Sequence, residues 1–203
     1  KNKMDRNFFK RDTVEVSRDL IGKYIVRKLD NKIIKVMITE TEAYCDTDQA
    51  SHCYGGNVTK RNKAMFGEVG RCYMYLIYGC HNCFNITAKS DTQKAGAVLI
   101  RAVKPIEGID EIKKLRNITS EKYLCKGNMS KTHKSPLSST LVNGPGKLCK
   151  GLNITKAHYG IDLLDETSDL YITDGQTIDV ETIKISTRIG ITKDVDRPWR
   201  FNI

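Results

Sequence analysis

The chain has 203 residues, 39% of them hydrophobic and 29% charged, with four prolines, an ordinary globular composition that folds without disulfide staples as one domain over residues 1–203. Its apolar runs are all too short for a membrane span. Thirty-four basic against 24 acidic residues leave a net charge of +10, which favours a polyanionic partner through phosphate neutralisation and counterion release. The seven cysteines are odd in number and no charged-apolar-small leader opens the chain, so the thiols are expected to be reduced. The expected setting is the cytoplasm, in association with the nucleoid, in a bacterium, or the nucleus in a eukaryote.

FFKRDTVEVSRDLIGKYIVRKL reads as a helix and then a strand. Asp12 is placed to cap the helix, Glu15 lies three residues on, and Gly22 can end it. Tyr24 to Leu29 alternates as a strand, Asp30-Asn31 supplies turn chemistry, and IIKVMIT returns as the hairpin partner. From Glu42 to Gly70 the sequence is polar and irregular, holding Gly55, Gly56, Gly67 and Gly70. A loop that long inside a compact domain is usually functional. Cys72 to Tyr78 is a strand by its aromatic and branched content, GCHN turns the chain, and CFNIT is a second strand. Ala97 to Pro105 is another strand, stopped by Pro105. EGIDEIKKLRN is a short amphipathic helix, and residues 117 to 140 are polar, basic and expected to be mobile. NGPGKLCKGLN suggests a helix with Pro145 in its first turn and Gly151 near its end. DLYITDG and TIKISTRIGI read as closing strands. Hairpins with irregularly placed helices argue α+β over an alternating α/β sheet.

Four constellations could carry chemistry. In TETEAY, Glu42 and Tyr44 share a strand face if the strand persists, roughly 6.5–7 Å apart, with Glu40 beside them and Thr41 and Ala43 opposite. A carboxylate leaving a strand beside an aromatic face suits general-base work; the plain alternative is a solvated glutamate and a packed tyrosine. In CYMYLIYG, Tyr73 and Tyr75 point one way, and Met74, Leu76 and Tyr78 the other. Tyr78 at the lip of the turn could wedge into stacked bases, and Tyr75 could stack on a base held in a pocket. The alternative is a sheet with two ordinary tyrosine faces. Cys80-His81-Asn82-Cys83 raises zinc or dithiol chemistry. No second CxxC exists, Cys45 and Cys53 flank His52 at poor ligand spacing, CFNIT is a strand where a redox pair wants a helix, and no H-x-E occurs. Core thiols and no metal are expected. Finally, Asn85 sides with Cys83 and Thr87, and Arg101 interrupts an apolar strand, so it needs an anionic or hydrogen-bonding partner, structural or functional.

Together, VMITETEAYCDTDQASH, KRNKAMFGEVGRCYMYLIYGCHNCFNI, AVLIRAVKPIEG, NGPGKLCKGL and TRIGI…RPWRF resemble the alkyladenine (3-methyladenine) DNA glycosylase family. The resemblance runs from the first hairpin to the C-terminus. It implies a single mixed α+β domain around a curved antiparallel sheet with a protruding β-hairpin and peripheral helices, a monomer without cofactor or metal. Its partner would be double-stranded DNA containing damaged purines, with no membrane. Glu42 matches the base that activates the attacking water, and Arg101 an arginine supporting that water. Tyr44 and Tyr75 match the aromatics that sandwich the flipped base, with His52 closing the edge and Tyr73 nearby. Asn85 matches the residue that crowds the amino group of normal guanine, and Tyr78 the one that fills the gap in the stack. Cys80 and His81 depart from the larger residues common after the wedge. The prolines usual before His52 and Arg61-Asn62 are missing, Lys60 standing in one place.

The implied reaction is hydrolysis alone, since no lysine is a convincing Schiff-base nucleophile. The implied substrates are 3-methyladenine, 7-methylguanine, hypoxanthine and ethenoadenine. Flipping costs least when damage has weakened pairing, and facing tyrosines would attract a cationic base by about 0.5–2 kcal/mol. No acid for protonating a neutral leaving base is evident. The competing expectation is a non-catalytic binder of damaged DNA or structured RNA, which shares the charge and the tyrosines but has no use for Glu42.

Overall fold

The computed structural model describes residues 3–118 and 141–203, so most of the stretch expected to be mobile lies outside the described residues. Helix α1 spans Thr13–Asp19, and Asp12 caps it by accepting from the amides of Val14 and Glu15. Strand β1 (Tyr24–Leu29) and strand β2 (Lys32–Cys45) form the expected hairpin, with Asp30 at φ 48° in the turn. Helix α2 (Lys63–Phe66) precedes strands β3 (Cys72–Ile77), β4 (His81–Thr87) and β5 (Gly96–Glu107). Helices α3 (Ile109–Leu115) and α4 (Pro145–Gly151) follow, then the short strands β6 (Leu170–Thr173), β7 (Lys184–Ser186) and β8 (Arg200–Asn202).

The pairings are antiparallel, in the order β3-β4-β5-β2-β1-β6, with β8 joining β2 and β7. The fold is α+β, one domain around a curled half-barrel sheet. Strand β2 is its spine: its first half pairs with β1, its second half with β8, and β5 runs along the other side. The core gathers Phe9, Leu20, Ile34, Ile38, Phe84, Ile86, Ile100, Ile112 and Leu148 under one face of the sheet. Burying such a face is what makes short helices like α1 and α4 stable. A smaller cluster of Cys53, Met65, Tyr73, Ala95 and Ala97 pins the segment after β2 to the sheet. Among the described residues no helix is long and apolar enough to cross a membrane.

Three expectations are corrected. Strand β5 does not stop at Pro105 but continues to Glu107, with Pro105 opposite Val36 at a register shift. β4 pairs with β5 only as far as Leu99, so among the described residues no strand pairs with β5 at Pro105 on the side away from β2, and its missing N–H costs no ladder bond there. TIKISTRIGI supplies strand only at Lys184–Ser186, and the closing partner β8 was not anticipated. The irregular segment begins after Cys45, later than Glu42, because β2 persists for 14 residues.

Candidate active site

Glu40, Glu42 and Tyr44 lie on one face of β2, as the two-residue period requires, while Thr41 turns into the core and exchanges hydrogen bonds with Ser17. Opposite them, β5 carries an extra residue. Glu40 pairs with Ala102 and Thr41 with Ile100, so Arg101 is the residue left over in a β-bulge. Thr39 is left over on β2 in the same way, and Arg101 keeps the face of Leu99 and Ala97, the partners of Glu42 and Tyr44, so the two-residue period brings its cation to both carboxylates. Arg101 Nε donates to Glu40 Oε1 at 3.0 Å and Nη1 to Glu42 Oε2 at 3.4 Å. Arg200 on β8 adds a second donor to Glu40 at 2.7 Å.

Glu42 is fully buried. Its Oε2 also accepts from the Tyr44 hydroxyl at 2.8 Å, and its Oε1 from the Ile189 amide at 2.7 Å. Tyr44, Arg101 and Ile189 all line a cleft of about 910 Å³, so the carboxylate stands directly behind the cleft wall. A carboxylate offers about four lone-pair positions. Three are taken, leaving one acceptor position on Glu42. Burial first and Glu42 second push the Tyr44 phenol far up, which keeps it a donor to the carboxylate.

The cleft also holds His52, Tyr73, Tyr75, Asn85 and Leu99. His52 meets Tyr75 edge to face, centroids 4.7 Å apart, and its Nδ1 lies 2.7 Å from the Tyr73 hydroxyl. Tyr73 is itself buried, in the cluster that pins the loop. Asn85 spends its amide protons on the carbonyls of Tyr73 at 3.1 Å and Cys83 at 3.3 Å, which fixes its orientation in the lining. The predicted residues Glu42, Arg101, Tyr44, His52, Tyr73, Tyr75 and Asn85 are therefore brought together. Tyr78 borders the same cleft at the tip of the β3–β4 hairpin, 86% exposed. Leu76 and Ile77 border it too, so the simple alternation expected for this strand fails beyond Tyr75.

Several residues escaped the sequence reading. Arg188 and Asp48 form a fully buried bidentate pair, and the Arg188 guanidinium stacks 4.7 Å from the Tyr44 ring and 5.2 Å from Trp199. Ile189, next in the chain, is the amide donor to Glu42. Arg61 contacts His52 Nε2 at 3.1 Å and lies over Tyr75 at 5.4 Å. TRIGI was recognisable as a segment, but nothing local betrays a partner 140 residues away. Of the CxxC pair, Cys83 is buried but Cys80 is exposed at the hairpin tip, so the expectation of core thiols is corrected for Cys80. A turn residue has no facing layer to bury it. Among the described residues no group of three His, Cys, Asp or Glu is placed to hold a metal ion.

A profile of the Methylpurine-DNA glycosylase (MPG) family matches residues 7–203. A relative from Carboxydothermus hydrogenoformans, named "Putative 3-methyladenine DNA glycosylase", is 41% identical over 198 residues, covering 98% of this chain and 93% of its own. Relatives of the same name from Clostridium perfringens and Methanocella arvoryzae are 38% and 41% identical, each covering at least 98% of this chain and 90% of its own.

Proposed function

The chain belongs to the methylpurine-DNA glycosylase family, and from that premise we propose that it excises alkylated or deaminated purines from duplex DNA, after flipping them, by simple hydrolysis. It is a DNA glycosylase of base-excision repair, acting on DNA. The finer proposal concerns how its residues divide the work, with residues 1–203 acting as one catalytic unit and as a monomer.

One observation carries the proposal: a buried Glu42 whose donors all line an aromatic cleft and which keeps one acceptor position open. A water in that position would give its proton to Glu42 as it attacks the sugar carbon. The same carboxylate would offset positive charge growing on the sugar. Arg101, held by Glu40 as well, orients the carboxylate and the water. Tyr44 and Tyr75 take the flipped base between them, with His52 at its edge. A cationic 3- or 7-methylpurine gains from the ring faces, and hypoxanthine or ethenoadenine fits by stacking. Asn85, locked by two backbone carbonyls, cannot swing aside for the amino group of normal guanine.

Tyr78 fills the hole in the duplex. It sits at φ 52° and Gly79 at φ 72°, the two positive values of a type I′ turn. A tyrosine in the left-handed region costs about 1–2 kcal/mol, and strain held at an exposed tip marks function over folding. Lys147 and Lys150 at the cleft rim are positioned for phosphates.

The test is a panel of duplexes each carrying one 3-methyladenine, 7-methylguanine, hypoxanthine or ethenoadenine, heated in alkali after incubation. Breaks at the lesion that appear only after alkali are expected. Intact strands throughout would leave a damage-binding protein, and breaks without alkali would contradict hydrolysis alone.

A further inference from the structure

We propose that Arg61 fixes the His52 ring in its neutral, Nδ1-protonated form, making the histidine wall of the slot a surface that does not change charge over the working pH range. A guanidinium has donors and no acceptor. Arg61 Nη2 lies 3.1 Å from His52 Nε2, so Nε2 accepts and carries no proton. The ring proton of the neutral imidazole is then on Nδ1, where it is donated to the Tyr73 hydroxyl 2.7 Å away. A protonated imidazole would turn an N–H against the Arg61 donors.

The contact is built in. Asn62 clamps the loop, donating to the carbonyls of His52 at 2.8 Å and Asn57 at 2.9 Å and accepting from the Thr59 amide at 2.7 Å. That holds the neighbouring Arg61 across from the ring and over Tyr75. The groups facing His52 are Arg61 from its own loop and Tyr73 and Tyr75 from β3. Among the described residues no carboxylate pairs with His52 or Arg61 to favour the imidazolium. Burial, and then the Arg61 charge, push the imidazole down to about 4. For the slot, which rests on the glycosylase reading above, the His52 ring would add no second charge beside the Arg61 guanidinium that already lines it.

The test is the imidazole nitrogen NMR of the whole chain without DNA, the His52 signals assigned with His52→Gln. Nε2 at the unprotonated limit and Nδ1 at the protonated limit are expected, flat from about pH 8 to about pH 5. In Arg61→Met the ring should gain the Nε2–H tautomer and titrate higher than in the wild type, still held below the ordinary imidazole value by burial. Arg61→Lys, which keeps a cationic donor, should restore the Nδ1–H form. A wild-type ring protonated on Nε2, one that titrates within that window, or signals unchanged in Arg61→Met would overturn the proposal. If Arg61→Met fails to fold, the wild-type titration alone decides. The spectra need no substrate, so they stand or fall separately from the glycosylase reading.

Discussion

At the scale of single residues, the site is a set of buried charges made tolerable by pairing. Arg188 and Asp48 carry no solvent exposure, yet together they hold the Tyr44 ring and place the Ile189 amide on Glu42. Removing one member strands the other, at a cost of about 3–5 kcal/mol. Arg188→Met should lower the melting temperature accordingly, and adding Asp48→Leu should recover much of the loss, as thermal unfolding of both variants would record. His52 gives a pH signature of opposite origin. Its folded-state value of about 4 lies below the ordinary 6.5, so protonation favours the unfolded chain. Its contribution is intact above about pH 6.5 and drains away as pH falls towards about 4. His52→Gln should flatten that part of the melting-temperature profile. The shared face of Glu42 and Tyr44 was legible because a two-residue period is local. The Arg188–Asp48 pair was not, because its members meet only through the fold.

At the scale of elements, the β5 bulge and the β3–β4 hairpin convert a regular sheet into a site. Alternation from Ala97 and Leu99 brings Arg101 to the carboxylates, and the register shift after it returns Val103 to the core. The interruption of an apolar strand by Arg101 was visible in the sequence, but the register shift beside it was not, since a bulge depends on the partner strand. Pro105 misled for a related reason: it stops a central strand but is harmless where, among the described residues, no strand pairs with that side of β5. In the hairpin, Tyr78→Asn should keep or raise the melting temperature, since asparagine tolerates a positive φ. The same variant should slow excision from duplex DNA more than from a single strand, because only the duplex has a stack to fill. Equal effects on the two substrates would remove the wedge role from Tyr78.

At the scale of the molecule, a curled sheet buries its apolar face against α1, α3 and α4 and leaves the cleft where β2, β5 and the hairpin meet. The hairpins and the α+β class could be read from alternation and turn residues. The short closing strand β8 could not, because three residues carry no periodic signal. The net charge of +10 makes binding a counterion-release process. The logarithm of the DNA affinity should fall linearly with the logarithm of salt, by about 0.9 for each phosphate contacted, and Lys147→Ala should reduce that slope by about one contact for every sequence alike. A slope near zero would mean that the basic surplus does not face DNA.

The most direct measurement is single-turnover excision by Glu42→Gln on a duplex carrying one ethenoadenine, alongside its affinity for the same duplex. Glutamine keeps the volume and an acceptor for the Ile189 amide but cannot take a proton from water. Excision should fall by about a thousandfold while affinity for the lesion stays within a few-fold of wild type. Excision at the wild-type rate would remove Glu42 from the chemistry and leave the buried carboxylate as a structural ion-pair partner only.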